Sequence, residues 1–214
     1  MANQKIFVAV AGNIGTGKTT LTEKLSAHFQ WKPHYESVSD NPYLTDFYGD
    51  MKRWSFPLQI YFMTHRVKAH QAITDGSASA IQDRTIYEDA NIFARNLFEQ
   101  GLLESRDYHN YLDVYHVVTE PLRAPDLMIY LQKSLPRLKE QIKKRGRDYE
   151  QDMPIDYLFN LNRYYDDWIG NYKIGKKLVI ESDSLDFVTN PEDFEFICKQ
   201  VEESLDQQDL FLNR

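Results

Sequence analysis

The chain has 214 residues, 42% of them hydrophobic, 27% charged and 14% aromatic, with nine glycines and eight prolines. These proportions exclude collagen-like, low-complexity and generally disordered chains, and the length suits a single domain over residues 1–214. With 25 Lys and Arg against 32 Asp and Glu, the net charge of −7 argues against broad attraction to nucleic acid or anionic lipid, so an anionic ligand needs local positive charge.

In chain order, short apolar runs rich in β-branched residues alternate with segments of helical period, the pattern of βαβ units around a parallel sheet. The N-terminal residues reach glycine after a short apolar run, with no signal-peptide architecture, and no stretch approaches the ~20 apolar residues of a bilayer span. The expected location is the cytoplasm, away from membranes.

A first strand, residues 6–11, runs into Gly12-Asn13-Ile14-Gly15-Thr16-Gly17-Lys18-Thr19, a complete G-x-x-x-x-G-K-[ST] loop. Leu21, Leu25 and Phe29 then mark the buried stripe of a helix. Glycines let the backbone close around phosphate oxygens, where consecutive N–H groups and the positive end of the helix meet negative charge. Lys18 is expected at the β- and γ-phosphates and the Thr19 hydroxyl on Mg²⁺, so the loop predicts ATP or GTP binding. No Asn-Lys-x-Asp guanine motif occurs, which disfavours a regulatory GTPase, and the chain is short for a motor ATPase with separate coupling domains.

A weak strand at 34–36 and a third strand at 78–82 lead to Glu36 and Asp83, at the strand ends where a doubly wound sheet places its ligands. Arg84 follows Asp83 directly; the pair suits holding Mg²⁺ while clamping phosphate oxygens, and equally suits a capped helix start. In a helix predicted over 55–73, with Pro57 in its first turn, Gln59, Met63 and Arg66 share one face. In the next helix, 87–99, Asp89 and Phe93 are spaced i, i+4. Buried polar groups among these need each other or a ligand.

A helix over 106–119, a strand over 127–131 and a helix over 135–144 with Ser134 as N-cap follow. Lys143, Lys144, Arg145 and Arg147 then gather around Gly146. As a charge run this is a solvated helix end favoured by the helix dipole; in a phosphoryl-transfer enzyme it is a mobile lid over about residues 143–151. A helix over 155–172, a strand over 177–180 and a helix over 191–205 complete the pattern. Cys198, in the last apolar stripe, reads as a buried packing thiol; one cysteine allows neither an intrachain disulfide nor a cysteine-based zinc site.

These residues resemble the deoxyribonucleoside kinases, in particular the bacterial deoxyadenosine and deoxycytidine kinase branch, over nearly the whole chain. The matching segments are GNIGTGKT, YESVSDNPYL with Glu36, FYGDMKRWSF with Tyr48 and Trp54, LQIYFMTHR with Gln59 and Arg66, QDRTIYED with Asp83, Arg84 and Asp89, and RGRDYE. The resemblance implies a P-loop NTPase-type three-layer α/β sandwich with a five-stranded parallel sheet, and ATP and Mg²⁺ as cofactors. It implies that Gly12 to Thr20 hold the ATP phosphates, that Arg145 and Arg147 reach them from the lid, and that Phe187 covers the adenine. Glu36 becomes the proton acceptor at the 5′-hydroxyl, Asp83 the metal ligand with Thr19, or the two acids exchange roles; Arg84 orients and neutralises. Tyr48 and Glu150 would bond the sugar 3′-hydroxyl, Gln59 would read the base with Arg66 and Asp89 in support, and Phe93 would stack on it.

Two positions depart from the animal members: Gln141 stands where they carry an arginine, and Asp83 where they carry Glu. The Gln59 amide matches adenine and cytosine equally, so the resemblance ranks deoxyadenosine first, deoxycytidine second and deoxyguanosine third. It further implies a homodimer through helices flanking the sheet and feedback inhibition by a deoxynucleoside triphosphate. The Tyr-rich segment 108–115 serves as dimer face or as core. Rival readings are a thymidylate kinase-like nucleoside monophosphate kinase, which needs no base for its phosphate acceptor, and a non-catalytic structural relative.

Overall fold

Val8 and Val10 turn to one face of β1 (Phe7–Ala11), Ala9 and Ala11 to the other, and all four are fully buried. A strand apolar on both faces has to be covered on both, which is the condition for a parallel sheet between helical layers. The computed structural model describes residues 5–35, 41–151 and 153–206. Five parallel strands lie in the order β2-β3-β1-β4-β5, with β2 at Lys32–His34, β3 at Ala80–Asp83, β4 at Leu127–Gln132 and β5 at Lys176–Glu181. The central strand β1 pairs with β3 on one side and β4 on the other, so the crevice beyond its C-terminal end is the ligand position of an open α/β sheet.

On the Val8 and Val10 face pack Leu21 and Leu25 of α1 (Lys18–Phe29) and Ile197, Cys198 and Val201 of α10 (Pro191–Asp206). Cys198 is the expected packing thiol, and burial raises its pKa to about 11. The Ala9 and Ala11 face is covered by α3 (Met51–Asp75), α6 (Ser105–Thr119), α9 (Ile155–Gly170) and the segment from Ile86 to Glu99. Tyr111 and Tyr115 of α6 point into this core, whereas Val114 and Val117 are exposed. The shorter α2 (Leu44–Gly49) and α8 (Asp148–Gln151), which have no counterpart in the sequence expectations, flank α3 and follow α7 (Leu135–Arg145).

Several boundaries differ from the expectations for identifiable reasons. Helix α3 starts at Met51 because Asp50 caps it, its side chain accepting from the Arg53 N–H at 3.0 Å; Pro57 therefore sits inside the helix and not in its first turn. The helix predicted over 87–99 divides into α4 (Ile86–Glu88), a π-helical turn (Asp89–Ala94) and α5 (Arg95–Glu99). Ser134 does occupy the N-cap of α7, but its side chain makes no cap hydrogen bond; its N–H donates to Asp183 Oδ1 at 2.8 Å. The weak second strand ends at His34, and Glu36 lies outside the described residues. Among the described residues no helix is long and apolar enough to cross a membrane.

Candidate active site

The loop between β1 and α1 is built from left-handed backbone. Gly12, Gly15 and Gly17 have φ of 154°, 86° and 95°. A Cβ on Gly12 would come within 2.8 Å of Thr16 Oγ1 and 3.0 Å of the Leu131 carbonyl oxygen, so side chains are barred by space as well as by dihedral. Asn13 and Thr16 serve the loop through their own bonds. Asn13 Nδ2 donates to Asn162 Oδ1 (2.8 Å) and to the Leu158 carbonyl (3.1 Å) of α9, and the Thr16 hydroxyl and Lys18 Nζ donate to the Asn13 carbonyl at 3.0 and 2.9 Å. Ile14 packs against Leu138, Ile142 and Leu158. The Ile14 N–H donates to Asn13 Oδ1 at 2.7 Å and the Thr16 N–H to the Asn13 carbonyl at 3.3 Å, so these bonds fix the loop at the positive end of α1.

Parallel pairing of β1 with β3 sets Val10 beside Asp83, the last residue of β3. From there the Asp83 carboxylate accepts a hydrogen bond from the Thr19 hydroxyl at 2.6 Å. Two hard oxygen donors side by side below a phosphate loop fit the ligand chemistry of Mg²⁺. Arg84 follows with φ of 65°, a conformation costly for a non-glycine residue and concentrated at functional sites. It is held by bonds from its N–H to the Val10 carbonyl (3.0 Å) and from Arg66 Nη1 to its own carbonyl (3.2 Å). Its side chain turns back to the loop, Nη2 donating to the Gly12 carbonyl at 3.3 Å.

Behind this centre α3 presents Gln59, Met63 and Arg66 on its buried face, as the spacing requires. Arg66 Nε donates to Asp89 Oδ1 at 2.8 Å, so these two polar side chains meet each other, while Gln59 Oε1 finds no hydrogen-bond partner among the described residues. Phe93, in the π-helical turn, lies under the Arg84 guanidinium at 4.4 Å from the ring centroid. Tyr48 is half-buried beside Phe47.

The basic cluster ends α7, with Gly146 as its left-handed cap (φ 69°). Arg145 and Arg147 both contact the buried Glu150, through Arg145 Nε at 3.1 Å and Arg147 Nη1 at 3.4 Å. In this conformation the two cations expected at ATP and the acid expected at the sugar form one group. Phe187 is buried against the loop, 3.2 Å from where a Gly17 Cβ would stand. It lines a cavity of about 410 Å³ together with Thr16, Gly17, Thr20, Lys133, Arg137 and Gln141. A larger cavity of about 870 Å³, lined in part by Tyr87, Tyr115, Trp168 and Tyr172, adjoins the residues that enter β4 and β5, at the edge of the sheet opposite the loop.

Two further polar groups escaped the sequence reading. Lys133, nearly buried at the end of β4, has its pKa lowered by desolvation. Glu88 is fully buried; its carboxylate accepts from the Thr85 N–H at 2.7 Å and the Tyr165 hydroxyl at 2.8 Å. The Thr85-x-x-Glu88 capping-box spacing was visible in the sequence, but it signals a helix start and not burial.

Residues 8–206 match the family model for deoxynucleoside kinases. The chain is 35% identical over 91% of its length, and 91% of the relative's, to the deoxyadenosine/deoxycytidine kinase of Bacillus subtilis (strain 168). It is 36% identical to the deoxyguanosine kinase of the same organism, covering 94% of this chain and 98% of that one. Among solved structures, the deoxyadenosine kinase of M. mycoides with bound dATP superposes with a TM-score of 0.82 at 29% identity, covering 92% of this chain and 99% of that one. The five-stranded parallel sheet and its helices are those of a P-loop NTPase fold.

Proposed function

The chain belongs to the deoxynucleoside kinase family, and on that footing we propose that it transfers the γ-phosphoryl group of ATP to the 5′-hydroxyl of a deoxyribonucleoside in nucleotide salvage. Neither a thymidylate kinase-like activity nor a non-catalytic role is favoured by this membership. The observation that carries the site assignment is the 2.6 Å bond from Thr19 to Asp83, which joins the phosphate loop to the end of β3.

In this reading the loop amides of Gly12 to Thr20 and Lys18 bind the donor phosphates, and Arg84, one residue beyond Asp83, neutralises charge on the group in flight. Thr19 and Asp83 would hold Mg²⁺, which when bound offsets the negative charge of the phosphates. Glu36 accepts the proton of the 5′-hydroxyl. Since the transition state is loose, the residues contribute mainly alignment and charge, and the base acts late. Gln59 reads the base edge, supported by the Arg66–Asp89 pair, and Phe93 gives it an apolar face. Tyr48 and Glu150 hold the sugar 3′-hydroxyl. Phe187 and its cavity take the donor adenine. The lid over about 143–151, part of a single domain, closes with Arg145 and Arg147 moving from Glu150 to the phosphates, which excludes water.

Deoxyadenosine is the preferred acceptor, followed by deoxycytidine and deoxyguanosine. The dATP bound to the M. mycoides relative supports feedback inhibition by a deoxynucleoside triphosphate. The exposed Val114 and Val117 on α6 support a homodimer, the net charge of −7 supports a protein that binds neither nucleic acid nor membrane, and the single cysteine, Cys198, supports the reducing cytoplasm as its location. The test is steady-state turnover of the four deoxynucleosides and their ribose counterparts with ATP and Mg²⁺. Deoxyadenosine should give the highest kcat/KM, and failure to phosphorylate any of them would remove the proposal.

A further inference from the structure

We propose that Glu88 is a positioning residue for phosphoryl transfer, its negative charge holding the Arg84 guanidinium at the mouth of the phosphate loop. This rests on the kinase reading above.

As the third residue of a capping box, position 88 is served equally by Glu or Gln, and such side chains normally lie at the surface. Here the residue is fully buried, between the start of α4 and α9; burial raises its pKa, and the Arg84 charge and the Thr85 N–H offset that only in part. Its Oε2 accepts from the N–H and the hydroxyl of Thr85 at 2.7 and 3.3 Å, and its Oε1 accepts from the Tyr165 hydroxyl at 2.8 Å. Desolvating a carboxylate costs more than a helix cap contributes, so capping alone does not explain a charge at this place.

The Arg84 guanidinium supplies the missing reason. Its Nε lies 3.7 Å from Glu88 Oε1, within ion-pair range and beyond hydrogen-bond length. The carboxylate therefore attracts the Nε edge without fixing it in a short bond. The other end of the guanidinium points to the loop, where Nη2 meets the Gly12 carbonyl, and the Phe93 ring supports its plane from one side. Arg84 is thus held between an anion behind and the loop in front, with its Nη end turned toward arriving phosphate oxygens. Tyr165 anchors the carboxylate to α9, the helix that also bonds Asn13 of the loop.

The test compares Glu88→Gln, Arg84→Met and the double variant with the wild type, together with a crystal structure of Glu88→Gln. Glu88→Gln keeps the cap and the side-chain volume, so kcat should fall about tenfold or more while the deoxynucleoside KM stays within about twofold. In the Arg84→Met background the same change should cost no further activity, because its effect passes through Arg84. The crystal structure should show the guanidinium displaced from the Gly12 carbonyl. Tyr165→Phe, which retains the charge, should keep kcat within about threefold of wild type. A Glu88→Gln enzyme with unchanged kcat, a loss that multiplies in full with that of Arg84→Met, or an undisplaced guanidinium would each overturn the proposal. If Glu88→Gln does not fold, Glu88→Asp takes its place: the retracted charge should lower kcat alone, and an unchanged kcat overturns the idea. A wild type that phosphorylates no deoxynucleoside would instead refute the kinase reading, and the guanidinium position then decides the role of Glu88 by itself.

Discussion

Arg66 and Asp89, 23 residues apart in sequence, form an ion pair with both side chains almost wholly removed from solvent, the Arg66 Nε lying 2.6 Å from Asp89 Oδ2. A buried pair contributes little when intact, but an orphaned partner is expensive. Arg66→Met should therefore destabilise the fold by about 3–5 kcal/mol in urea denaturation. Adding Asp89→Leu should restore most of that stability, because no charge is left alone, while the deoxynucleoside KM stays raised. A double variant with normal KM would separate the pair from base recognition.

The roles of the two acids can be told apart by their amides. Asp83→Asn removes charge beside the Thr19 hydroxyl and should lower kcat by roughly 10²–10³-fold and raise the Mg²⁺ concentration needed for half-maximal rate. Glu36→Gln should lose most turnover with Mg²⁺ dependence and nucleotide binding intact. Full turnover in Glu36→Gln would move the proton-acceptor role to Asp83.

Gly15 has φ of 86°, and a Cβ there would meet Ile142 Cγ1 at 2.9 Å and the Leu138 carbonyl oxygen at 3.1 Å. Gly15→Ala should cost about 1–3 kcal/mol through overpacking and backbone strain together, and should weaken ATP binding measured by calorimetry. Adding Ile142→Ala should not rescue binding, since the Leu138 carbonyl belongs to the backbone of α7 and stays in place. Recovery in that double variant would show that only side-chain crowding matters.

His70 is fully buried in α3, with Nε2 bonded to the Arg123 carbonyl at 2.6 Å and its ring edge-on to Phe7. Desolvation holds its pKa below the ordinary 6.5. The unfolded chain therefore takes up a proton at a pH where the folded chain does not, and stability falls as pH drops below 6.5 toward the folded value. Glu88 acts in the opposite sense, since its raised pKa lets the folded chain take up a proton before the unfolded chain does as pH falls toward 4.5. The signature of His70 is thus a difference: His70→Gln, which can still donate to Arg123, should lose less stability than wild type between about pH 7 and pH 5. Equal pH profiles from chemical denaturation would exclude it.

Val114 and Val117 are exposed on α6, with Val117 71% accessible. If this face joins two copies, Val117→Asp should shift the protein from dimer to monomer in sedimentation while its melting temperature stays within a few degrees, because the side chain leaves no cavity behind. A dimer that survives the change would place the interface elsewhere.

The sequence alone determined whatever is written in contiguous residues. Glycine spacing fixes the left-handed turns of the loop from Gly12 to Gly17, a four-residue repeat fixes the buried stripe of α1, and the alternation of strands and helices fixes the parallel class, because all three depend on local backbone preference and period. The face shared by Gln59 and Arg66 was legible for the same reason. Boundaries were less so: the Asp50 cap moved the start of α3, and the π-helical turn from Asp89 to Ala94 has no periodic signature that distinguishes it from an α-helix.

Tertiary structure decided what depends on partners distant in sequence. Thr19 meets Asp83 across 64 residues only because β1 and β3 pair in parallel with Val10 beside Asp83. Glu88 is buried only because α9 brings Tyr165 over it, and the positive φ of Arg84 is held by Val10 and Arg66 from two other elements. Burial and register arise from how whole elements pack, a many-body outcome that no short run of residues encodes by itself, and at this site it is burial that turns a helix cap into a buried counter-charge.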